Sequence, residues 1–411
     1  MKRLRIFWAL LSMPMIGLMA GCGTESPDFR VNSVYMEKIS RELEVKFDGQ
    51  RQEDVYTALT AMFGTPDLPV VTGGQDVGVT ELLNVDNLAM AAGPVIKDYE
   101  AGKGLYRQHC AHCHGVTGDG YGPTAKFLNP YPRDFRMGTF KFKSTPVGYR
   151  PTDDDLTRIV RNGINGTAMP SFKEMLDSGQ IDAIVDYVKY LALRGQTERS
   201  LISLSGDYGY ETPEETADTQ AELLSKEVLV DDILGSIVEE WTTAGETATE
   251  AEGRNPIYDF SSTEFDQGEL DESIARGQQL YYGAGACVTC HGPTQLGDGQ
   301  TTDYDNWTKD FFGEAAKVAD PELLDAYLSA GGLPPRNIIP RNLRQGVYRG
   351  GRRPIDIYWR VKNGIDGTPM PAASSQLTDD DVWDIVNFVL SIPFQSLSQP
   401  ADMPEFARDR N

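Results

Sequence analysis

Histidine and cysteine are scarce in this chain, and positive charge is in short supply. Its 411 residues include 4 histidines and 5 cysteines, and 38 lysines and arginines stand against 61 aspartates and glutamates. The formal net charge of -23 argues against nucleic acid and against an anionic lipid surface as partners, since both require a basic face. It permits a basic protein partner, although a solvated acidic surface with no partner is the commoner explanation. The length predicts two or three domains.

Long apolar runs are also absent after the N-terminus. The basic residues Lys2, Arg3 and Arg5 precede an apolar run from Ile6 to Ala20, and Cys22 follows small residues. This start resembles a bacterial lipoprotein signal, in which residues 1–21 are removed and Cys22 is acylated. An uncleaved anchor is the alternative, but the run is shorter than the ~20 residues of a spanning helix. The sequence therefore predicts an exported protein, lipid-anchored to a bacterial membrane and facing the periplasm.

The remaining cysteines and all the histidines lie in or beside two short motifs. Each motif has the form CxxCH followed by glycine, at Cys110-Ala111-His112-Cys113-His114 and at Cys287-Val288-Thr289-Cys290-His291. Two thiols at this spacing can each add to one vinyl group of a porphyrin, which leaves the adjoining imidazole beneath the iron. A CxxC pair could instead form a redox disulfide, or both pairs could supply sulfurs to one zinc ion, but the histidine after each pair favours haem.

The motifs therefore predict two covalently bound haem c groups that contain iron. The predicted thioether cysteines are Cys110, Cys113, Cys287 and Cys290, and the predicted proximal ligands are His114 and His291. Covalent haem of this kind is attached outside the cytoplasmic membrane in bacteria, which agrees with the export signal.

A longer pattern surrounds each motif, at residues 98–195 and 272–394, which we term the first and second domains. In each, a segment with a glycine and a tyrosine precedes the motif. The motif is followed by a glycine loop, a Pro-Arg pair, the sequence Asn-Gly-Ile-x-Gly-Thr-x-Met-Pro and an amphipathic helix. The matched residues are Gly102 and Tyr106 with Gly277 and Tyr281, Gly118-Asp119-Gly120 with Gly297-Asp298-Gly299, Pro132-Arg133 with Pro340-Arg341, and Asn162–Pro170 with Asn363–Pro371. The repeat predicts two domains of one plan, and Thr378 and Asp381 predict a capping box in the second.

The other segments carry no recognisable site. Residues 22–97 are predicted to be a spacer and packing region, and residues 395–411 a C-terminal tail. Residues 196–271 are acidic and rich in Ser and Thr, which predicts a linker. Five apolar residues within it could nevertheless line a helix face that docks on a domain: Val230, Leu234, Ile237, Val238 and Trp241. The second domain also has an insertion at 300–335.

Two methionines occupy matched positions in the repeat. Met169 lies 55 residues after His114, and Met370 lies 79 residues after His291, each in a glycine-rich loop and followed by proline. Most methionines only fill a core, but the repetition of this position predicts that each thioether binds the iron face opposite the histidine.

With these motifs the chain resembles the class I cytochromes c, over about half of its length. The resemblance implies a mostly α fold: two tandem class I cytochrome c domains, joined here by the acidic linker, with the first and last helices of each domain crossing. The implied contacts at the crossings are those of Gly102 and Tyr106 with Tyr187, and of Gly277 and Tyr281 with Phe388.

The resemblance also implies residues around the haem. A proline carbonyl is expected to accept a hydrogen bond from the Nδ1 of the proximal histidine, and Pro123 fits this role in the first domain. The second domain offers only Pro334 or Pro335. Arg133 and Arg341 are candidates for binding the haem propionates, with an ordinary surface salt bridge as the alternative for each.

Histidine below and methionine above would leave neither iron an open position. The sequence therefore predicts an electron-transfer protein rather than an enzyme, passing single electrons between periplasmic or membrane redox partners. A dihaem peroxidase would need one iron without a strong sixth ligand, and the spare His109 and His112 are too close to the thioether cysteines to reach over the ring. The chain could also be the haem c subunit of a larger oxidase or dehydrogenase complex, such as a respiratory complex.

Overall fold

The computed structural model describes residues 27–47, 49–95, 104–251 and 267–398, apart from the side chains of Asn306 and Leu397. The predicted signal peptide, Cys22, Gly102 and most of the C-terminal tail lie outside these residues. The described part is helical and contains no β-strand, only isolated bridges between Gly64 and Pro69 and between Tyr304 and Asn337. None of its helices has the length and apolarity needed to cross a bilayer.

The α-helices are numbered in chain order. They are α1 (Ser33–Leu43), α2 (Gly49–Phe63), α3 (Val79–Leu82), α4 (Val85–Ala91), α5 (Leu105–His109), α6 (Ala111–His114), α7 (Asp153–Asn162), α8 (Ser178–Asp207), α9 (Pro213–Leu223), α10 (Gly235–Thr242), α11 (Gln267–Tyr282), α12 (Val288–His291), α13 (Asn306–Phe312), α14 (Pro321–Ser329), α15 (Pro354–Asn363) and α16 (Asp379–Ser391). A π-helical segment spans Glu227–Leu234, and short 3-10 helices span Gly74–Val77, Ala125–Phe127, Thr243–Thr247, Ala315–Ala319, Leu343–Gln345, Ile392–Phe394 and Ser396–Ser398.

The first and last helices of each domain cross through aromatic residues. In the first domain, the ring centroids of Tyr106 on α5 and Tyr187 on α8 lie 4.9 Å apart. In the second, those of Tyr281 on α11 and Phe388 on α16 lie 5.4 Å apart. A Cβ on Gly277 would lie only 1.9 Å from a backbone oxygen of α16, so only glycine allows α11 to approach so closely. The predicted contacts of Tyr106, Gly277 and Tyr281 are confirmed, as is the capping box of Thr378 and Asp381 at the start of α16, while that of Gly102 lies outside the described residues.

The closing helix of the first domain is longer than the sequence predicts. Instead of ending near residue 195, α8 continues to Asp207, and its C-terminal half remains buried as far as Gly206. The extension is buried because α1 and α2 of the N-terminal region pack against it; α4 packs on the earlier part of α8, and all share one apolar core. Residues 27–95 therefore form a helical layer on the first domain.

The described part of the acidic segment, residues 196–251, belongs to the same core instead of forming an open linker. The apolar face predicted between Val230 and Trp241 is buried on the first domain. Trp241 packs edge-on to Phe140, with ring centroids 5.9 Å apart, and its Nε1–H donates to Gln196 Oε1 at 2.9 Å. Glu239 and Glu240 lie on the exposed face of α10. Composition alone suggested a linker because it does not show which helix face carries such charges.

The insertion of the second domain also packs on the first. Its helices α13 and α14 enclose a small core that contains Phe311, Phe312 and Tyr327. Asp310 on α13 pairs with Lys38 of α1 and with Arg199 of α8, both at 3.1 Å. The insertion thereby joins the second domain to the N-terminal layer.

Candidate haem sites

The first CxxCH motif forms one tight helical turn. Cys110 is the last residue before α6, and its carbonyl accepts hydrogen bonds from the backbone N–H of Cys113, at 3.1 Å, and of His114, at 2.9 Å. Both thiols are half-buried and neither is in a disulfide. Burial raises the pKa of the Cys110 thiol to about 12, so at neutral pH it is not the thiolate that redox disulfide exchange requires.

The second motif repeats this geometry. The carbonyl of Cys287 accepts hydrogen bonds from the N–H of Cys290, at 3.3 Å, and of His291, at 2.9 Å. Burial raises the pKa of the Cys287 thiol to about 11. Among the described residues, no three His, Cys, Asp or Glu side chains are grouped as metal ligands. The two cysteine pairs therefore do not share a zinc site, and each stands alone beside its own histidine.

Each proximal histidine is oriented by a backbone carbonyl, but not by the one expected. The Nδ1 of His114 lies 2.9 Å from the carbonyl oxygen of Arg133, and that of His291 lies 3.2 Å from the carbonyl oxygen of Arg341. The role predicted for Pro123 is therefore wrong, and so is the suggestion of Pro334 or Pro335.

The loop hydrogen bonds explain why Pro123 is excluded from this role. The preceding Gly122 donates its N–H to the carbonyl of Cys113 at 3.0 Å, and Thr124 donates to that of His112 at 3.1 Å. These bonds hold Pro123 beside the backbone of the CxxCH turn, away from the imidazole edge. The duplicated Pro-Arg pair is the sequence signal that could have identified the true acceptors.

The carbonyl partner also fixes the tautomer of each imidazole. A carbonyl oxygen only accepts, so Nδ1 carries the proton and Nε2 keeps its lone pair. Burial lowers the pKa of His114 to about 4, opposed by the hydrogen bond to Arg133, and burial likewise lowers the pKa of His291. The ring of Phe135 stacks on His114 with centroids 4.7 Å apart. Both rings are therefore held neutral, with Nε2 available to a metal.

The glycine loops after the two motifs are equivalent in the structure, but the residues that match differ by two positions from the pairing that the sequence suggests. Gly120 donates its N–H to the carbonyl of His114 at 2.9 Å, and Gly297 donates to that of His291 at 3.0 Å. Gly120 is therefore the counterpart of Gly297. A Cβ on either residue would lie within 2.8 Å of the carbonyl oxygen of Pro132 or Pro340, so glycine is needed to bring the Pro-Arg segment close to the histidine.

The two methionine loops have the same hydrogen-bond pattern. Ile164 donates its N–H to the carbonyl of Met169 at 3.1 Å, and Thr167 Oγ1 accepts from the N–H of Met169 at 3.1 Å. In the second domain, the corresponding bonds join Ile365 and Thr368 to Met370, at 3.1 and 3.2 Å. Both methionine side chains are half-buried. Each loop is thus a closed, rigid turn with one partly exposed thioether.

The methionine loop of the first domain also lies close to its CxxCH motif. The ring of His109, which directly precedes Cys110, lies 5.9 Å from that of Phe172, which follows Met169 by three residues. The donor set of a covalently attached haem consists of two unbonded thiols, an imidazole with a free Nε2 and a presented thioether. The residues of both domains therefore fit haem c.

Comparison with known proteins agrees with haem c in both domains. Residues 97–188 match the family model described as cytochrome c oxidase, cbb3-type, subunit III, and residues 274–393 match the model described as cytochrome c. No curated protein matches the chain significantly. A chain of the reducing HAO-like protein complex of Kuenenia stuttgartiensis is similar at 22% identity with a TM-score of 0.45, covering 70% of this chain and 94% of its own.

Proposed function

Because the chain carries two cytochrome c domains in tandem, and with them two covalently bound haem c groups, we propose that it is an electron-transfer protein whose two haems are both ligated by histidine and methionine. Each haem, when bound, supplies an iron that accepts or releases one electron. The donor and the acceptor would be redox proteins of the periplasm or the membrane.

In this proposal each domain holds its haem through residues of two loops. Cys110 and Cys113 form the thioether bonds in the first domain, while His114 and Met169 bind the iron. The matching residues of the second domain are Cys287, Cys290, His291 and Met370. The carbonyls of Arg133 and Arg341 keep the imidazoles in one orientation, which raises their basicity as ligands.

The observation that carries the proposal is the identical hydrogen bonding of the two methionine loops. A methionine that only filled the core would not require the same closed turn twice, and neither side chain is fully buried. A strong sixth ligand leaves no open position for a substrate, which favours electron transfer over catalysis of the peroxidase type. Methionine, as a soft ligand, also favours the reduced iron.

The test replaces each methionine by alanine in the haem-loaded protein. Met169→Ala and Met370→Ala should each remove about half of the long-wavelength band that methionine gives to ferric haem, and each should lower one of the two midpoint potentials. Met175→Ala is the control, because this side chain lies near the first loop but is 54% exposed. A full band in both variants would refute the methionine ligation.

A second candidate function is that of a haem c subunit in a larger oxidase or dehydrogenase complex. The match of residues 97–188 to an oxidase subunit family favours it. The chemistry at the haems is the same in both cases, and only the partner differs. Native electrophoresis of solubilised membranes separates the two, since a free carrier migrates at the size of one chain.

We also propose that the mature chain begins at an acylated Cys22 and is anchored on the periplasmic side of a bacterial membrane. The support is the sequence Leu18-Met19-Ala20-Gly21-Cys22 after the apolar run. Cys22→Ser should prevent acylation and move the haem protein out of the detergent phase, or leave the signal uncleaved, without changing the haem spectrum. Partitioning of the wild type into the aqueous phase would exclude the lipid.

A further inference from the structure

Four basic side chains lie together where the two domains meet. Arg133 and Lys141 come from the first domain, and Arg341 and Arg349 from the second; all four are half-buried. The ring of Trp307, from the insertion, has the Arg133 guanidinium carbon 3.6 Å and the Lys141 Nζ 5.6 Å from its centroid. We term these four residues the interdomain cation cluster.

Among the described residues, the cluster forms no ion pair with a carboxylate. Three acidic residues lie near it, and the charge of Asp305 acts on both Arg133 and Lys141, but each of the three is paired or hydrogen-bonded elsewhere. Asp134 pairs with Arg136 at 2.8 Å and Asp366 pairs with Lys143 at 2.8 Å. Asp305 caps α13 by accepting from the N–H of Thr308.

Several donors of the cluster have no hydrogen-bond partner in the described structure. The Nε atoms of Arg341 and Arg349 and the Nε1 of Trp307 are inaccessible to solvent and unpaired. Unpaired buried donors are costly, and like charges at close range repel. The arrangement therefore calls for anions.

The cluster touches the haem-binding segments of both domains. Arg133 and Arg341 are the residues whose carbonyls hold the two proximal histidines. Arg349 donates across the interface to the carbonyl of Gly166, in the first methionine loop, at 3.5 Å. Trp307 packs on Gly367 of the second methionine loop so closely that a Cβ there would lie 2.2 Å from its ring. A cavity of about 160 Å³ opens beside Arg133, Lys141 and Trp307.

We propose that the interdomain cation cluster, with Trp307, is one shared binding site for the propionate carboxylates of both haems, so that each of its charges acts on the reduction potential of both domains. Arginine and lysine are suited to carboxylates, and the propionates would supply the missing negative charge. This inference rests on the presence of two haems but not on the methionine ligation proposed above.

The test measures both midpoint potentials of the haem-loaded chain by spectroelectrochemical titration. A nearby positive charge stabilises the reduced iron, so Lys141→Gln and Arg349→Gln should lower the potentials. At an effective dielectric constant of about 20 and a separation of about 10 Å, the loss of one charge shifts a reduction equilibrium about tenfold, which is about 59 mV for one electron. Each variant should shift both midpoints, although the mutated residue belongs to only one domain.

Two sets of variants serve as controls. Lys226→Gln removes the same charge from a residue that is 59% exposed on the outer layer and should leave both midpoints in place. Lys141→Arg and Arg349→Lys keep the charge and should shift the midpoints much less than the glutamine variants.

The proposal is overturned if each glutamine variant shifts only one midpoint, or neither. If these variants fail to incorporate haem, Trp307→Phe decides: it removes only the Nε1 donor and should lower both midpoints. Unchanged midpoints in that variant overturn the proposal too. Failure of methionine ligation would appear instead as an unaltered absorption band in the methionine variants.

Discussion

Asp366→Asn should weaken the interface between the two domains. Asp366 lies in the second methionine loop, and its Oδ2 is 2.8 Å from the Nζ of Lys143 in the first domain; their side chains are 7% and 3% exposed. The carboxylate also accepts from the N–H of Gly148 at 3.2 Å. An amide can still accept that bond, but it leaves the buried Lys143 without its ion-pair partner.

The size of the expected loss of stability depends on the hydrogen bonds that Lys143 keeps. Removing one partner of a buried ion pair costs ~3–5 kcal/mol. Lys143 still donates to Thr145 Oγ1 at 3.2 Å, to the carbonyl of Tyr149 at 2.7 Å and to that of Pro146. These bonds place the loss at the lower end, about 3 kcal/mol.

The loss should also depend on pH. Burial lowers the pKa of Lys143, and Asp366 opposes this shift. Without Asp366 the pKa of Lys143 in the folded state falls further below its unfolded value. The unfolded variant then binds more protons than the folded one between these two pKa values, so the stability of the variant rises with pH there. The difference from the wild type should therefore be smaller at pH 9 than at pH 7.

The assay is urea denaturation of the oxidised, haem-loaded protein, followed by far-UV circular dichroism. A double-mutant cycle with Lys143→Met isolates the pair, and we expect a coupling energy of about 2 kcal/mol. Asn165 occupies the position of Asp366 in the first methionine loop and is exposed, so Asn165→Asp is a matched control with no expected effect. A coupling energy below about 0.5 kcal/mol would refute the importance of the pair.

Two further predictions concern buried hydrogen bonds near the motifs. Tyr106 and Tyr281 donate their hydroxyls to the carbonyls of Gly115 and Gly292, both at 2.9 Å. Tyr106→Phe and Tyr281→Phe should therefore each lower the free energy of unfolding, measured by urea denaturation, by about 1–3 kcal/mol. The control Tyr149→Phe, at a side chain that is 52% exposed, should leave it nearly unchanged, and equal stability of all three variants would contradict the prediction. Asp379 accepts from Lys362 at 2.6 Å and from Tyr358 at 2.7 Å, and these bonds lower its pKa. The stabilisation by Asp379 is therefore present above its unfolded pKa of about 3.9 and is lost as the pH falls through its folded pKa. The free energy of unfolding should differ between the wild type and Asp379→Asn by about 1 kcal/mol at pH 7, and this difference should shrink toward pH 3. A difference that stays constant with pH would exclude the carboxylate as its origin.

The sequence predicts the local parts of the haem sites well, because their chemistry fixes the residue spacing. The CxxCH turns, the paired tyrosines and the capping box of Thr378 all depend on residues close in sequence or on one helix face. The histidine acceptors were missed, because every residue carries a backbone carbonyl and the duplicated Pro-Arg pair was interpreted through its side chains. Arg133 and Arg341 were chosen for their side chains, and the structure gives their backbones the orienting role.

The acidic segment shows a different limit of sequence-based prediction. Composition counts the charges of residues 196–251 but does not show which helix face carries them. Trp241 and its apolar neighbours are buried while Glu239 and Glu240 remain in solvent. The length of α8 depended on the same missing information, since its C-terminal half is stable only where α1 and α2 cover it.

The interface between the domains could not be read from the repeat, because a repeat reveals only what two copies share. The two copies agree where each holds its own haem, at the motif, the Pro-Arg carbonyl and the methionine turn. They differ where each touches the other: Asp366 is buried against Lys143, while its counterpart Asn165 is exposed. Trp307 belongs to an insertion that the first domain lacks. Positions at which the copies diverge within an otherwise matched loop, such as Asp366, therefore help to join two similar domains into one asymmetric unit.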